Sequence, residues 1–227
     1  MEKLNYLDRL AEYGVPSAHP GGMALTKRLL DRETITAGMT VLDLGCGTGR
    51  ASIYLGRHYP CKIIAVDNNP RMIERAGRMF AEYGLEIPLF RADAMELPFP
   101  NSSFDLVLVE SVTVFTEIER SLREYRRILK PEGVLLEVEV TMFSPLTGKE
   151  ADDLQSVLGF SWAPVLEEWL RLFAKAGFAG VQVLGHRKFN PNGSLLLGLH
   201  PAFQDYRRLM FLLRKKLGYG VYRCTLK

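Results

Sequence analysis

The sequence predicts an α/β fold built on a mostly parallel sheet, and three observations carry that expectation. After Met39, short runs rich in valine, isoleucine and leucine alternate with longer amphipathic segments, the pattern of repeated strand and helix units. The runs are almost continuously apolar, as strands covered on both faces must be. A glycine-rich stretch at 43–49 follows the first run directly and opens a helix.

Strands are expected at 40–44, 62–66, 87–91, 106–110 and 134–140. Pro70 suits the first turn of a helix running towards Tyr83, because the amide that proline lacks would be unpaired there anyway, and Gly84 suits its end. Over 117–130, Ile118, Leu122, Tyr125, Ile128 and Leu129 keep helical spacing, while Arg120, Arg123, Arg126 and Arg127 fall mostly on a face read as solvated. A glycine- and proline-punctuated stretch at 141–163 is expected to act as a lid, followed by a helix at 164–176 that Gly177 ends and a strand at 181–185. A helical insertion at 190–218 precedes a return to strand character at 219–226. Within it, Phe203, Tyr206, Met210, Leu213 and Leu217 share a helical stripe that Leu209, Phe211 and Leu212 widen. That helix is expected to pack on an acceptor pocket or on a second copy of the chain through 203–217. Its basic residues also allow a peripheral membrane contact.

At 227 residues and 47% hydrophobic, the chain suits one domain with appended elements: a helical cap over 1–37 and the main domain over 38–227. A net charge of +3 is too slight for a nucleic-acid surface, so no nucleic-acid partner is expected. No stretch approaches the roughly 20 apolar residues that span a bilayer, and the first residues lack a secretory core, so a soluble, cytoplasmic protein is expected. Cys46, Cys61 and Cys224 lack metal or disulfide spacing, and His19, His58, His186 and His200 are scattered. No metal site is expected.

Gly45, Gly47 and Gly49 let the backbone turn sharply after the first strand and approach a ligand closely. A dinucleotide-binding loop would carry glycine at position 50, where this chain has Arg50. Asp67 ends the second strand, where a carboxylate can accept from two ribose hydroxyls, and Asp93 follows the third, where it can accept from an adenine amino group.

The residues VLDLGCGTG, AVDNN, RADAMELPFPNSSFD and LKPEGVLLEVE resemble, in order, the motifs of the class I S-adenosylmethionine-dependent methyltransferases. The likeness covers roughly residues 38–140, and in style it is nearest to the ubiquinone and menaquinone biosynthesis enzymes. It implies a Rossmann-like, seven-stranded, mostly parallel sheet with helices on both faces, whose last strand, 219–226, inserts antiparallel beside 181–185. It also implies S-adenosylmethionine as cofactor and S-adenosylhomocysteine as product. Asp43, Gly45, Gly47 and Gly49 would hold the methionine end, with Cys46 a small residue packed behind it. Asp67, with Asn68 beside it, would bind ribose, and Asp93 with Ala94 would bind adenine. Pro131-Glu132-Gly133 departs from the frequent Pro-Gly-Gly, in a turn away from those contacts. The asparagine-proline-proline-aromatic signature of many amino methyltransferases is absent at 110–113, which weakens a nucleobase or amide acceptor. Arsenic methyltransferases share the motif region but use several thiols, and outside the loop only Cys61 and Cys224 remain.

Glu110, at the end of the fourth strand, is a candidate to touch the cofactor, orient an acceptor or act as a base; a carboxylate paired with a nearby arginine or exposed at the strand end is the alternative. His19, in a proline- and glycine-rich turn, and Tyr13 are candidates to contact cofactor or acceptor. Glu137 and Glu139 share a face of the fifth strand, with ion pairing to a covering helix the favoured expectation. The function expected is methyl transfer to a small, apolar or aromatic molecule at oxygen, nitrogen or carbon. The alternatives are a regulatory or scaffold subunit that binds cofactor without turnover and an NAD-dependent oxidoreductase, which Arg50 and Asp93 disfavour.

Overall fold

The computed structural model describes residues 5–16, 18–189 and 201–227. Part of the expected insertion, 190–200 with His200, lies outside the described residues. Among those described, seven strands form one sheet in the order β3-β2-β1-β4-β5-β7-β6. They are β1 (Thr40–Leu44), β2 (Lys62–Asp67), β3 (Leu89–Arg91), β4 (Phe104–Glu110), β5 (Leu129–Val140), β6 (Gly180–Lys188) and β7 (Gly218–Thr225). Strands β1 to β5 pair in parallel, and β7 runs antiparallel between β5 and β6, as expected.

The described helices are α1 (Tyr6–Tyr13), α2 (Gly22–Leu30), α3 (Arg50–His58), α4 (Pro70–Glu82), α5 (Ile118–Ile128), α6 (Gly148–Leu158), α7 (Leu166–Ala176) and α8 (Gln204–Leu212). Alternation along the central strands sorts their side chains onto two faces. Val41, Leu106, Leu108, Leu136 and Val138 pack with Leu25, Leu29 and Leu30 of α2 and Leu55 of α3. Leu42, Leu44, Val107, Val109 and Leu135 join the larger core with Leu122, Tyr125, Leu154, Trp169 and Phe173. Burying a side chain of this size is worth about 1.5–3 kcal/mol, so these two cores hold the sheet between its helices.

Several expectations change. Strand β3 is shorter than 87–91 and Phe90 is 41% exposed, because an edge strand is not covered on both sides. Helix α5 stops at Ile128, and β5 takes up residues expected to be helical. The stretch at 141–163 contains α6, whose start Thr147 and Glu150 secure by capping each other's end of the first turn. The expected helix 203–217 is helical only over Gln204–Leu212. Arg127 is not solvated: it donates to the carbonyls of Leu97 and Phe99 and to Glu124, tying the loop before β4 to α5.

The expected ion pairs of Glu137 and Glu139 do not form. Glu139 accepts backbone N–H groups from Thr113 at 2.7 Å, Val114 at 3.3 Å and Val140 at 2.7 Å, so its partners are amides. Both oxygens of fully buried Glu137 lack a hydrogen-bond partner among the described residues. Tyr125, Thr113, Tyr222 and Cys224 surround it, with Glu139 beside it. Burial first, then the Glu139 charge, pushes the Glu137 carboxyl up to about 8. With the folded-state value raised from 4.5, its contribution to stability is complete below about 4.5 and is lost as pH rises through about 8. Melting measured from pH 6 to 9 is expected to fall for the parental chain and to fall less steeply for Glu137→Gln, the other raised carboxyls still contributing; equal slopes would contradict a protonated Glu137.

Candidate functional site

Strands β1 and β4 are neighbours, but the strands that follow each of them extend to opposite sides of the sheet. This is the topological switch point, where open α/β sheets leave a crevice at the carboxyl ends of the strands. On leaving β1, the amides of Gly45 and Cys46 both donate to the Val66 carbonyl, at 2.8 and 2.9 Å, folding the loop across the end of β2. Gly45 has φ +75°, and a Cβ on it would lie 2.2 Å from a methyl of Val112. Gly47, with φ +55°, has open space where its Cβ would be. On leaving β4, Ser111 takes φ +58° and donates its amide to Val138, which brings Val112 onto Gly45.

The crevice deepens into a cavity of about 240 Å³. Asp43, Gly45, Cys46, Gly47, Asp67, Asn68, Asp93, Ala94, Glu110 and His19 all line it. Gly49 is not on the wall: a Cβ there would meet Phe80 at 2.4 Å, so it is glycine for packing. Tyr13 is not on the wall either; it lies against Phe203 and is largely exposed, because α1 turns its other side inward.

Asp67 accepts the Gly47 amide at 2.8 Å on one oxygen and the Asn69 amide at 2.9 Å on the other, leaving each oxygen a further lone pair. Asp93 accepts the Met95 amide at 2.8 Å beside buried Ala94. Asp43 accepts the Ser52 hydroxyl at 2.6 Å, and burial pushes its carboxyl up to about 7. The Thr26 hydroxyl of α2 donates to Glu110 at 2.8 and 3.1 Å. Burial pushes the Glu110 carboxyl up to about 8 and holds His19 down at about 4.

His19 Nε2 lies 3.5 Å from Glu110, with side chains only 7% and 9% exposed. The spacing would admit an ion pair, but burial keeps the imidazole uncharged, so this is a neutral contact. Nδ1 lies 3.2 Å from the Pro20 carbonyl, which can only accept, so Nδ1 carries the proton and the Nε2 lone pair faces the Thr26 hydroxyl at 3.4 Å and Glu110 at 3.5 Å. Among the described residues Glu110 is neither paired with an arginine nor exposed at the strand end; its partners are a hydroxyl and a neutral imidazole. Thr26, Ser52, Ser111 and Val112 escaped the sequence reading. A helical position seven residues after His19 was the one available signal for Thr26.

Away from these groups the wall is apolar. Tyr6 and Leu10 of α1, Phe115 after β4, Leu158 and Phe160 at the end of α6, and Tyr206 and Met210 of α8 close over the cavity. Tyr6 stacks on Phe115 and Tyr206, with ring centres 6.3 and 5.3 Å apart.

Residues 41–133 match the family model described as a methyltransferase domain. The chain is 34% identical to the uncharacterized methyltransferase YodH of Bacillus subtilis (strain 168), over 96% of this chain and 97% of that one. It is 31% identical to a demethylmenaquinone methyltransferase of Thermus thermophilus, over 60% of each. The fold matches a geranyl diphosphate C-methyltransferase from Streptomyces coelicolor A3(2), solved with Mg2+, geranyl diphosphate and S-adenosyl-L-homocysteine. The TM-score is 0.76 at 13% identity, covering 91% of this chain and 78% of that one.

The two loop glycines differ in what they tolerate. Gly45→Ala meets Val112 as well as an unfavourable φ and is expected to lower stability by more than about 2 kcal/mol. Gly47→Ala meets only the φ penalty and is expected to lose about 1–2 kcal/mol. Denaturant unfolding of the two variants checks that order.

Proposed function

The chain belongs to the class I S-adenosylmethionine-dependent methyltransferases, and we propose that it methylates a small, apolar or aromatic molecule at oxygen, nitrogen or carbon. The two-part wall of the cavity carries this reading. Glycines and carboxylates form one part, and aromatic and aliphatic side chains from α1, α6 and α8 form the other. A ligand filling the second part exchanges water for rings and methyl groups and finds few polar partners. The demethylmenaquinone specificity in the Thermus relative's description agrees with an acceptor of this kind.

The polar part suits the cofactor. The open space beside Gly47 admits a ligand against the backbone, and Asp67 keeps acceptor capacity for a ribose diol. Asp93 and Ala94, on the same wall, would offer an adenine an acceptor and an apolar contact. Asp43 and Glu110 carry carboxyl groups near the Gly45 loop that a cationic methionine end would draw into the ionised form. When bound, S-adenosylmethionine supplies an electrophilic methyl group on a cationic sulfonium. The residues of the chain contribute position and the exclusion of water, the main requirements of an in-line displacement. Tyr6 and Leu10 from the segment 1–37 and Leu158 and Phe160 from the stretch 141–163 line the apolar side. His19, neutral and with Nε2 as an acceptor, can take a hydrogen bond from a hydroxyl or amine acceptor and orient it, and Glu110 keeps its ring in place.

Transfer of label from methyl-labelled S-adenosylmethionine into a panel of quinols, phenols and prenyl compounds tests the reading. Product is expected in one of these classes, whereas cofactor binding without transfer to any acceptor in a metabolite extract would favour the regulatory subunit. Calorimetry with S-adenosylhomocysteine should show Asp67→Ala weakened by about 1–3 kcal/mol, the scale of a stranded polar contact; parental affinity would remove Asp67 from the site. His19→Asn is expected to lower kcat about 100-fold for an oxygen or nitrogen acceptor. Its S-adenosylhomocysteine affinity should stay at the parental level, and the acid limb of the parental rate should fall near pH 4.

A further inference from the structure

Helix α8 has two apolar sides. Leu209 and Leu213 are buried, and Tyr206 and Met210 face the cavity. On the opposite side Phe211 and Leu212 are 59% and 60% exposed, more than any other large hydrophobic side chain among the described residues. Apolar groups of this size gain nothing by standing in water.

Charge identifies what covers them. Arg208, Arg214 and Lys215 are exposed around Phe211 and Leu212, and the Arg214 guanidinium lies 4.0 Å from the centre of the Phe211 ring. Lys216 is already paired with Glu150 at 2.6 Å and is not counted. A second copy of the chain would set these cations against their own like, since a two-fold contact brings the same patch to both sides. An anionic bilayer surface satisfies both features at once: lipid headgroups neutralise the cations while the two side chains enter the acyl boundary. We infer that the outer side of α8 docks on an anionic lipid surface, placing the cavity one helix away from a membrane-dissolved acceptor. The purpose of the docking rests on the apolar-acceptor reading above, whereas the docking itself does not.

The test is sedimentation of the protein with vesicles of phosphatidylcholine alone or mixed with phosphatidylglycerol, with no cofactor or acceptor present. Binding is expected only to the mixed vesicles and is expected to weaken as salt rises. Phe211→Ser with Leu212→Ser, and separately Arg208→Glu with Lys215→Glu, should each reduce partitioning at least about tenfold, given roughly fivefold for each basic residue near such a surface. Both sets lie on exposed positions, so melting is expected to stay parental, and the charge pair remains a valid test if the apolar pair unfolds. Parental binding by the charge-reversed variant, or no binding to mixed vesicles, overturns the inference. So does a parental dimer that Phe211→Ser with Leu212→Ser splits into monomers, since a second copy then covers the face. Because vesicle binding is read without turnover, it can succeed while the methylation assay fails, or fail while that assay succeeds.

Discussion

The contact between Gly45 and Val112 is the constraint on which the site depends. Two chain segments leave adjacent strands, diverge to opposite sides of the sheet and must still touch, because a gap there would let the crevice run into the core. The approach is so close that the first segment carries no side chain at that point and the second adopts a left-handed turn at Ser111. Glu139 holds the second segment by accepting the amides of Thr113 and Val114 on one oxygen. A carboxylate deep in the sheet, costly in isolation, thus fixes the wall segment that carries Val112 and Phe115.

The described interior is populated with acids and holds no permanently cationic side chain. Asp43, Asp67, Glu137 and Glu139 are buried, and no buried lysine or arginine accompanies them among the described residues. They are tolerated in three ways. Amide and hydroxyl donors hold Asp67, Asp43 and Glu139; a proton neutralises Glu137; and the cavity brings Asp43 and Asp67 within reach of an incoming ligand. Neighbouring acids add to the upward push of burial, Glu110 and Asp67 on Asp43, and Glu139 on Glu137. The polar end of the cavity is therefore a place where positive charge is welcome.

The sheet was largely legible because its signals are local: apolar runs of strand length, a proline at the start of α4 and a glycine loop at the end of β1. The cofactor-side candidates were legible for the same reason, since each sits at a strand end whose place the topology determines. Gly49 shows the limit, because a glycine that makes room for Phe80 looks in sequence like one that makes room for a ligand. Glu139 and Glu110 show another. Their partners, Thr113, Val114, Thr26 and His19, lie in segments whose placement depends on tertiary packing, and backbone amides leave no trace in residue identity. The exposure of Phe211 and Leu212 was equally hidden, since a wide apolar stripe does not say which part of it the fold will cover.

Strand β7 lies between β5 and β6, so β6 has no strand to pair with until β7 has been made. During synthesis the sheet therefore grows only as far as β5, and the backbone groups along that edge stay open while α6, α7 and β6 emerge. An unpaired edge of this kind is a template for wrong partners, including the same edge of another nascent chain. Glu137 lies on that edge strand, and until β7 brings Tyr222 and Cys224 beside it the burial that raises its carboxyl is incomplete, so the group ionises more readily. Ionised side chains on an edge repel a second copy of it. The acid that is hardest to accommodate in the finished core is thus positioned to guard the strand before that core is complete.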